Sequence, residues 1–383
     1  MQRITWALIT GEYPPQPGGV ADYTFTLARA LAAHGDAVHV FAPGDGDTVD
    51  GGVQVHRVPR MFGARGTARL IRELHALPRP RVALLQFVVQ SFGARGANVL
   101  FGTSLRRLEH YPLWTMFHEF AIADERRFSA ARRALAWITR RIAAQAVRAS
   151  TRAFVSTPAW TPLVRRVRSD IPIDWTPVCS NVATVADAAR VVTRGAELRA
   201  HGVTSLVGHF GSYRMADTRD AIARLIATVL RDRTRAFVVL GRDGDAFAQS
   251  VTSAHPSLAG RVIGPGALPP DRLAESLSAL DVLVQPYGEG VTARRGSLIA
   301  GLALGTPIVT TDGPLTEALW RESGAVALVR ADDDAALADA VEALLADAAR
   351  RARLRESATA LYRERFAIER TVTTLRRCAG ASA

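Results

Sequence analysis

The stretch ITWALITGEYPPQPGGVADYTFTLARALAAHGDAVHVFA, residues 4–42, decides the fold. It opens on an apolar run of strand length, 4–9, which breaks into a glycine- and proline-rich loop at 10–19. Apolar residues then recur at helical spacing over 20–34, Gly35 closes that helix, and 37–42 is a second apolar run of strand length. Glycine is a common helix terminator because it accepts a left-handed backbone. Strand, helix and strand in this order make one βαβ unit, the building block of a parallel sheet covered by helices.

The pattern continues outward from there. Strands expected at 53–58, 81–87, 113–118 and 153–156, with helices between them, complete a first domain over residues 1–181. Residues 182–204 are alanine-rich and without strand character, which marks a linker. Strands at 205–210, 236–240, 261–263, 281–285, 307–311 and 326–329 then build a second domain over residues 205–366, and a closing helix is expected at 367–383. A chain of 383 residues, 48% of them hydrophobic, has enough apolar surface for two cores. The class is α/β, with no internal repeat of solenoid period.

The net charge is +12, and all 48 basic residues are arginine; the sequence holds no lysine. That excludes a Walker phosphate loop, which needs its lysine, and it excludes Schiff-base and pyridoxal chemistry. Any phosphate must be met by arginine, histidine or backbone amides. A pI of about 10.9 points to an anionic partner, but the arginines are scattered and carry no nucleic-acid-binding signature. Cys179 and Cys378 form neither a disulfide framework nor a metal-ligand spacing, which fits a reducing, cytoplasmic setting. The apolar run at 4–9 is too short for a signal core or a membrane span.

Ligands of open parallel sheets bind beyond the carboxyl ends of the strands, so the loops that follow strands are where chemistry is expected. Four stand out. One is the loop from Gly11 to Gly19, ending where a helix begins and where glycine lets backbone N–H groups approach a ligand. Another is Phe117-His118-Glu119-Phe120, a histidine and a carboxylate just past a strand. A third, Gly208-His209-Phe210-Gly211-Ser212-Tyr213-Arg214, carries an arginine able to grip a diphosphate bidentately. The fourth runs from Gly288 to Ser297, where Arg294 and Arg295 supply charge while Gly296 and Ser297 bare helix-terminal amides.

These loops, in this order, resemble those of the family 4 glycosyltransferases. The opening Gly11 to Gly19 with Val20-Ala21-Asp22-Tyr23-Thr24 is similar to that family's start, and Gly305-Thr306-Pro307-Ile308-Val309-Thr310-Thr311 with Glu317 to its later motif. The resemblance spans nearly the whole chain. It implies the GT-B fold, two Rossmann-like domains facing each other across a cleft, with acceptor in the first and nucleotide-sugar in the second. It also implies transfer with retention, no metal and no cofactor beyond the donor substrate, a UDP- or GDP-sugar. Gly18 and Gly19 fall where the family approaches the donor phosphate, and His118 matches a histidine that contacts the transferred sugar. The family's arginine and lysine pair aligns with His209 and Arg214, so Arg214 is expected to stabilise the leaving group. Gly211, Arg294, Arg295, Gly296, Ser297 and Glu317 complete the expected donor site; Glu12, Tyr13, Tyr23, Gln86 and Glu119 lie on the acceptor side.

The family's paired glutamates, separated by seven residues, are absent: counting back from Gly305, their positions hold Thr292 and Ala300. Their loss keeps open a catalytically degenerate GT-B binding protein, and a GT-B epimerase acting on the nucleotide-sugar itself is a separate alternative. Asp45-Gly46-Asp47 imitates a metal-binding DxD but lies in a polar loop and reads as a solvated turn. Over residues 132–149, Leu135, Ile138, Ile142, Ala146 and Ala149 share one helical stripe, with Arg133, Arg140, Arg141 and Arg148 opposite. With Trp137 on the polar side, that helix suits an anionic membrane surface as well as packing on the sheet. The expected partners are thus a nucleotide-sugar, a glycan or lipid-linked acceptor and the inner face of a membrane, with no nucleic acid.

Overall fold

The computed structural model describes residues 2–108, 111–121, 129–199 and 202–380, with the side chain of Arg95 left aside. The chain folds as two compact units, one of Met1–Val178 with Ile368–Ala383 and the other of Cys179–Ala367. In the first, strands β1 (Thr5–Ile9), β2 (Ala37–Pro43), β3 (Thr48–Asp50), β4 (Val53–Val58), β5 (Arg81–Phe87), β6 (Leu113–Phe117), β7 (Arg152–Val155) and β8 (Ile173–Trp175) form one sheet in the order β3-β4-β2-β1-β5-β6-β7-β8. All neighbours are parallel except β3, which runs antiparallel to β4. Helices α1 (Gly19–Ala33), α2 (Ala64–Ala76), α3 (Val99–Ser104), α4 (Ala130–Ala149) and α5 (Thr161–Val167) connect them. Every residue of β1 and of β6 is buried, as expected of strands covered on both faces.

Two elements here lay outside the sequence reading. All three residues of β3 are exposed, and β8 is three residues of intermediate burial, so neither offers an apolar run to find. Asp47, just before β3, accepts a bond from the Arg57 amide at 2.8 Å, which fits a solvated turn at residues 45–47. Helix α4 buries Ala136, Thr139, Ile142, Ala143, Ala146 and Val147, while Leu135 and Ile138 are half-buried and Arg132, Arg133, Arg140, Arg141 and Arg148 face solvent. The buried stripe is therefore rotated from the expected one toward the small residues, which let the helix lie close to the sheet.

The second unit begins with α6 (Ala188–Leu198), inside the stretch read as linker from sequence. Asp187 caps it by accepting from the Arg190 amide at 3.0 Å. Arg194 ties it to α9 (Pro270–Ser278) through a 2.9 Å bond to Ser276 Oγ and pairs with Glu197 at 2.8 Å. Long polar side chains, not an apolar stripe, hold this helix, which is why its composition looked like linker. The remaining elements are β9 (Ser205–Phe210), α7 (Ala216–Val229), β10 (Arg235–Leu240), α8 (Gly244–Ala254), β11 (Val262–Ile263), β12 (Val282–Gln285), α10 (Gly296–Ala303), β13 (Ile308–Asp312), α11 (Ala318–Glu322), β14 (Ala327–Arg330), α12 (Asp334–Ala346) and α13 (Ala348–Leu361). Its sheet is wholly parallel, in the order β11-β10-β9-β12-β13-β14.

The closing helix α14 (Ile368–Gly380) belongs to the first unit and packs on α1. Its Arg376 is ion-paired with Asp36, which has no exposed side-chain surface and also accepts from the Ile4 amide at 3.1 Å and the Trp6 indole at 2.9 Å.

Candidate active site

Each sheet reverses its winding at one point. In the first, the chain steps from β1 to β2 on one side and later resumes at β5 on the other; in the second the same happens with β9, β10 and β12. Diverging loops open a crevice at such a switch point, beyond the strands' carboxyl ends. The loops singled out from sequence follow β1, β6, β9 and β12, so all four stand at or beside these two points.

In the first unit, the amino end of α1 is already occupied by the protein's own carboxylate. Glu12 Oε1 accepts from the amides of Val20 (3.2 Å) and Ala21 (3.3 Å). A side chain at position 18 would come within 2.4 Å of that carboxylate and displace it, whereas a Cβ on Gly19 would meet open space. Beside this, His118 is 6% exposed, and its Nε2 lies 2.8 Å from Gln86 Oε1. An Nε2–H donated to Gln86 leaves Nδ1 with its lone pair. Burial pushes the His118 pKa down to about 3, so the ring is neutral, and Tyr23 packs edge-on to it at 4.8 Å. Gln86 has no exposed surface, and its Nε2 has no hydrogen-bond partner among the described residues. Glu119 is half-buried at the end of β6.

Tyr13, expected on the acceptor side, has its side chain turned into the core. It is 3% exposed, packed against Phe25 at 6.1 Å with the Arg57 guanidinium 5.6 Å from its ring centre. Burial pushes its hydroxyl up to about 12, and it holds the loop in place from below.

In the second unit, the loop after β12 folds against the amino end of α10. Gly290, at φ +87°, lets it pass so close to the next loop that a Cβ there would lie 2.4 Å from the Gly313 amide nitrogen. The Leu315 amide bonds to Glu289 O at 2.9 Å and the Val291 amide to Thr311 O at 2.8 Å. Glu317 fastens the next turn: its carboxylate accepts from the Ala293 amide (3.0 Å) and from the Trp320 indole (2.6 Å). Arg294 and Arg295 emerge beyond, their side chains 16% and 27% exposed, and both approach Glu289 Oε2, at 3.3 and 3.6 Å. Arg295 lies over the Tyr287 ring at 4.5 Å, and its buried Nε has no hydrogen-bond partner among the described residues.

Below the arginines, the Tyr287 hydroxyl donates to Gln285 Oε1 at 3.1 Å and lies 3.2 Å from Ser297 Oγ. Gln285 Nε2 in turn donates to Phe210 O at 2.8 Å, joining the ends of β12 and β9. Gly296 opens α10 with space around it, the nearest atom to an added Cβ being Asn181 Oδ1 at 3.7 Å. Thr292 and Ala300, where the resemblance would place glutamates, are both fully buried. Tyr287 and Gln285 were missed in the sequence; an aromatic and an amide just ahead of an arginine-bearing loop were the available signal.

The loop after β9 divides the residues predicted there. His209 is 4% exposed, with Nδ1 2.8 Å from the Tyr213 hydroxyl, which donates to His209 O at 3.0 Å. Burial pushes its pKa down to about 3. A neutral ring cannot substitute for the cation the alignment put there, and its visible work is to brace the loop with Tyr213. Gly211 gives that ring room, since a Cβ would come within 3.0 Å of His209 Cε1. Arg214 remains available, its side chain 69% exposed and 3.9 Å from Asp243. Among the described residues no cluster of three or more His, Cys, Asp or Glu side chains could hold a metal ion.

Comparison with known proteins bears on both units. Residues 17–171 match the model described as Glycosyltransferase Family 4, and residues 204–347 the one described as Glycosyl transferases group 1. Among solved structures, a sucrose-phosphate synthase (tll1590) from Thermosynechococcus elongatus is 20% identical with a TM-score of 0.73, covering 100% of both chains. Anabaena Alr3699/HepE, in complex with UDP and glucose, is 14% identical with a TM-score of 0.71 and the same coverage. WaaG, a glycosyltransferase involved in lipopolysaccharide biosynthesis, is 15% identical with a TM-score of 0.64, covering 96% of this chain and 98% of its own. At these identities the likeness is one of fold. A sequence search of curated proteins finds no significant match.

Proposed function

From the premise that this chain belongs to the GT-B glycosyltransferases, family 4 in its first half and group 1 in its second, we propose that it transfers a hexosyl group from a nucleoside-diphosphate sugar to a glycan or lipid-linked acceptor. The donor is a UDP- or GDP-sugar, the anomeric configuration is retained, and no metal takes part. UDP and glucose occupy the similarly folded HepE, which supports a donor of this kind. The observation that carries the reading is the arginine pair at the amino end of α10, with the Arg295 guanidinium seated on Tyr287 and its Nε without an acceptor among the described residues.

A departing nucleoside diphosphate develops negative charge, and fixed cations and helix-terminal amides stabilise it without reorganising at the moment of transfer. Arg294 and Arg295 meet that charge with the Gly296–Ser297 end of α10, and the exposed Arg214 closes on it from the loop after β9. Gln285, Tyr287 and Glu317 position the arginine loop. In the first unit, Nδ1 of a neutral His118 accepts a hydrogen bond from a sugar hydroxyl, oriented by Gln86. Glu289 stands where the diphosphate binds, and yields to it.

The test is incubation with UDP-, GDP- and dTDP-sugars, first by thermal shift, then with acceptor extracts, following the sugar by mass and the new linkage by NMR. A sugar found on an acceptor with unchanged anomeric configuration supports the proposal. Product sugar still attached to nucleotide would mean an epimerase, and binding without turnover a degenerate relative. We also place the first unit against an anionic membrane: no helix among the described residues is long and apolar enough to span one, but Trp137 on α4 is 57% exposed and Leu100 on the adjoining α3 is 72% exposed. No acidic residue occurs from 129 to 169, a stretch holding nine arginines.

A further inference from the structure

The first unit contains a second cavity, at the opposite end of its strands from His118 and Gln86. It occupies about 1030 Å³ at the amino ends of β1, β5, β6 and β7, beside the last turn of α14. Arg79, Arg81, Arg152 and Arg376 line it, Trp114 contributes to its wall, and among the described residues no carboxylate does.

These four arginines are not equivalent. Arg152 is neutralised by Asp174 at 2.5 Å. Arg376, its side chain 8% exposed, is ion-paired with Asp36, and its buried Nη1 makes no well-formed hydrogen bond among the described residues. Arg81 donates only to the backbone oxygens of His75 and Leu77, both at 2.6 Å, and Arg79 is exposed with no carboxylate partner among the described residues. A guanidinium brings five donors in a planar fork, and burying it with donors unused is costly unless something accepts from them. A site of this volume matches the upper range of small-molecule pockets, about 300–1,000 Å³. Its charge, left uncompensated at Arg79 and Arg81, selects an anion.

We propose that this cavity is a binding site for a phosphorylated small molecule, a phosphomonoester or diphosphate, gripped by Arg376 and Arg81 and closed by Arg79. It lies at the other end of the sheet from His118 and Gln86: β5 separates Arg81 at its amino end from Gln86 near its carboxyl end, so the ligand takes no part in the transfer itself. Guanidinium forks match phosphate oxygens bidentately, which favours phosphate over a simple halide.

Calorimetric titration with inorganic pyrophosphate, in four forms of the full chain, tests this. Arg295→Ala weakens the proposed donor site by roughly ten- to a hundredfold and is expected to leave the pyrophosphate site of the cavity unchanged. Arg79→Glu, at an exposed position without partners that the fold needs, is expected to weaken that remaining site at least tenfold, and the double variant to lose detectable binding. Arg376→Met is the more direct probe but strands the buried Asp36, so Arg79→Glu decides if Arg376→Met fails to fold. Loss of all pyrophosphate binding in Arg295→Ala, or indifference of its remaining site to Arg79→Glu, overturns the proposal. Binding to phosphatidic acid vesicles with none to pyrophosphate overturns it as well, by making the ligand a lipid headgroup.

Discussion

At the scale of single residues, the amino ends of α1 and α10 each hold a carboxylate of the protein itself. Glu12 sits on the first amides of α1, and Glu289 lies within 3.6 Å of both Arg294 and Arg295. Such internal anions keep a cationic site ordered until a ligand arrives, and they compete with that ligand. Removing the competitor and removing the cation should therefore act in opposite directions. Glu289→Gln is expected to tighten UDP or GDP binding a few-fold, while Arg295→Ala weakens it by roughly ten- to a hundredfold, the worth of one charge-assisted contact. Calorimetry with the free nucleotides reads both, and a Glu289→Gln form that binds more weakly would show the carboxylate to be a scaffold instead. The arginines were legible in the sequence because charge in a glycine-rich turn has few structural uses. Glu12 was legible only as a polar neighbour, since a carboxylate reaching forward eight residues to cap a helix leaves no local spacing to read.

Among elements, the central strands were the most readable feature, because strands buried on both faces are plain apolar runs. What escaped were the elements held by polar side chains: α6, fixed by Asp187 and Arg194, and the exposed β3. The loop between β12 and α10 shows the same limit inside the site. Its residues were identified, but not how they are held, which depends on Glu317 reaching back 24 positions to the Ala293 amide. The resemblance gives Glu317 a place beside the donor, whereas its geometry gives it the work of fastening the loop. The two roles separate experimentally. Glu317→Gln keeps the shape but loses the charge on its bonds to Ala293 and Trp320, and is expected to cost about 1–2 kcal/mol of stability. If fastening is its role, nucleotide affinity falls only as far as the loop loosens, and the thermal midpoint falls with it. An affinity loss at an unchanged midpoint would make Glu317 a direct ligand of the donor.

For the whole molecule, the charge of +12 is unevenly spread, and the acid-free stretch 129–169 gives it a direction. Attraction between its exposed arginines and an anionic bilayer is screened within about 8 Å at physiological ionic strength. Vesicle co-sedimentation should accordingly be strong at low salt with anionic lipid, fade as salt rises, and weaken further in Trp137→Ala; equal binding to neutral vesicles would contradict it. Stability should in turn depend on pH through histidines instead of arginines. His118 and His209 are pushed down to about 3 by burial, and His39 to about 4 by burial and then by its neighbour His56. All three are neutral in the folded chain, yet in the unfolded chain each takes up a proton below about pH 6.5. The unfolded state then binds more protons, so the stability they contribute is complete above pH 6.5 and drains as the pH falls toward their folded values. Each costs at most about 1.4 kcal/mol per pH unit over that window. The carboxylates held low by arginine, such as Asp312 and Asp332, begin to matter only below about pH 4, so the window from 6.5 to 4.5 belongs to the histidines. The thermal midpoint is expected to be flat above pH 7 and to fall steeply from 6.5 to 4.5, with His39→Gln reducing the slope by about a third, since it removes one of three equivalent protonation costs. A midpoint unchanged down to pH 4.5 would mean that these rings open to solvent and titrate in the folded chain, and His118 could then no longer serve as a neutral acceptor at its Nδ1.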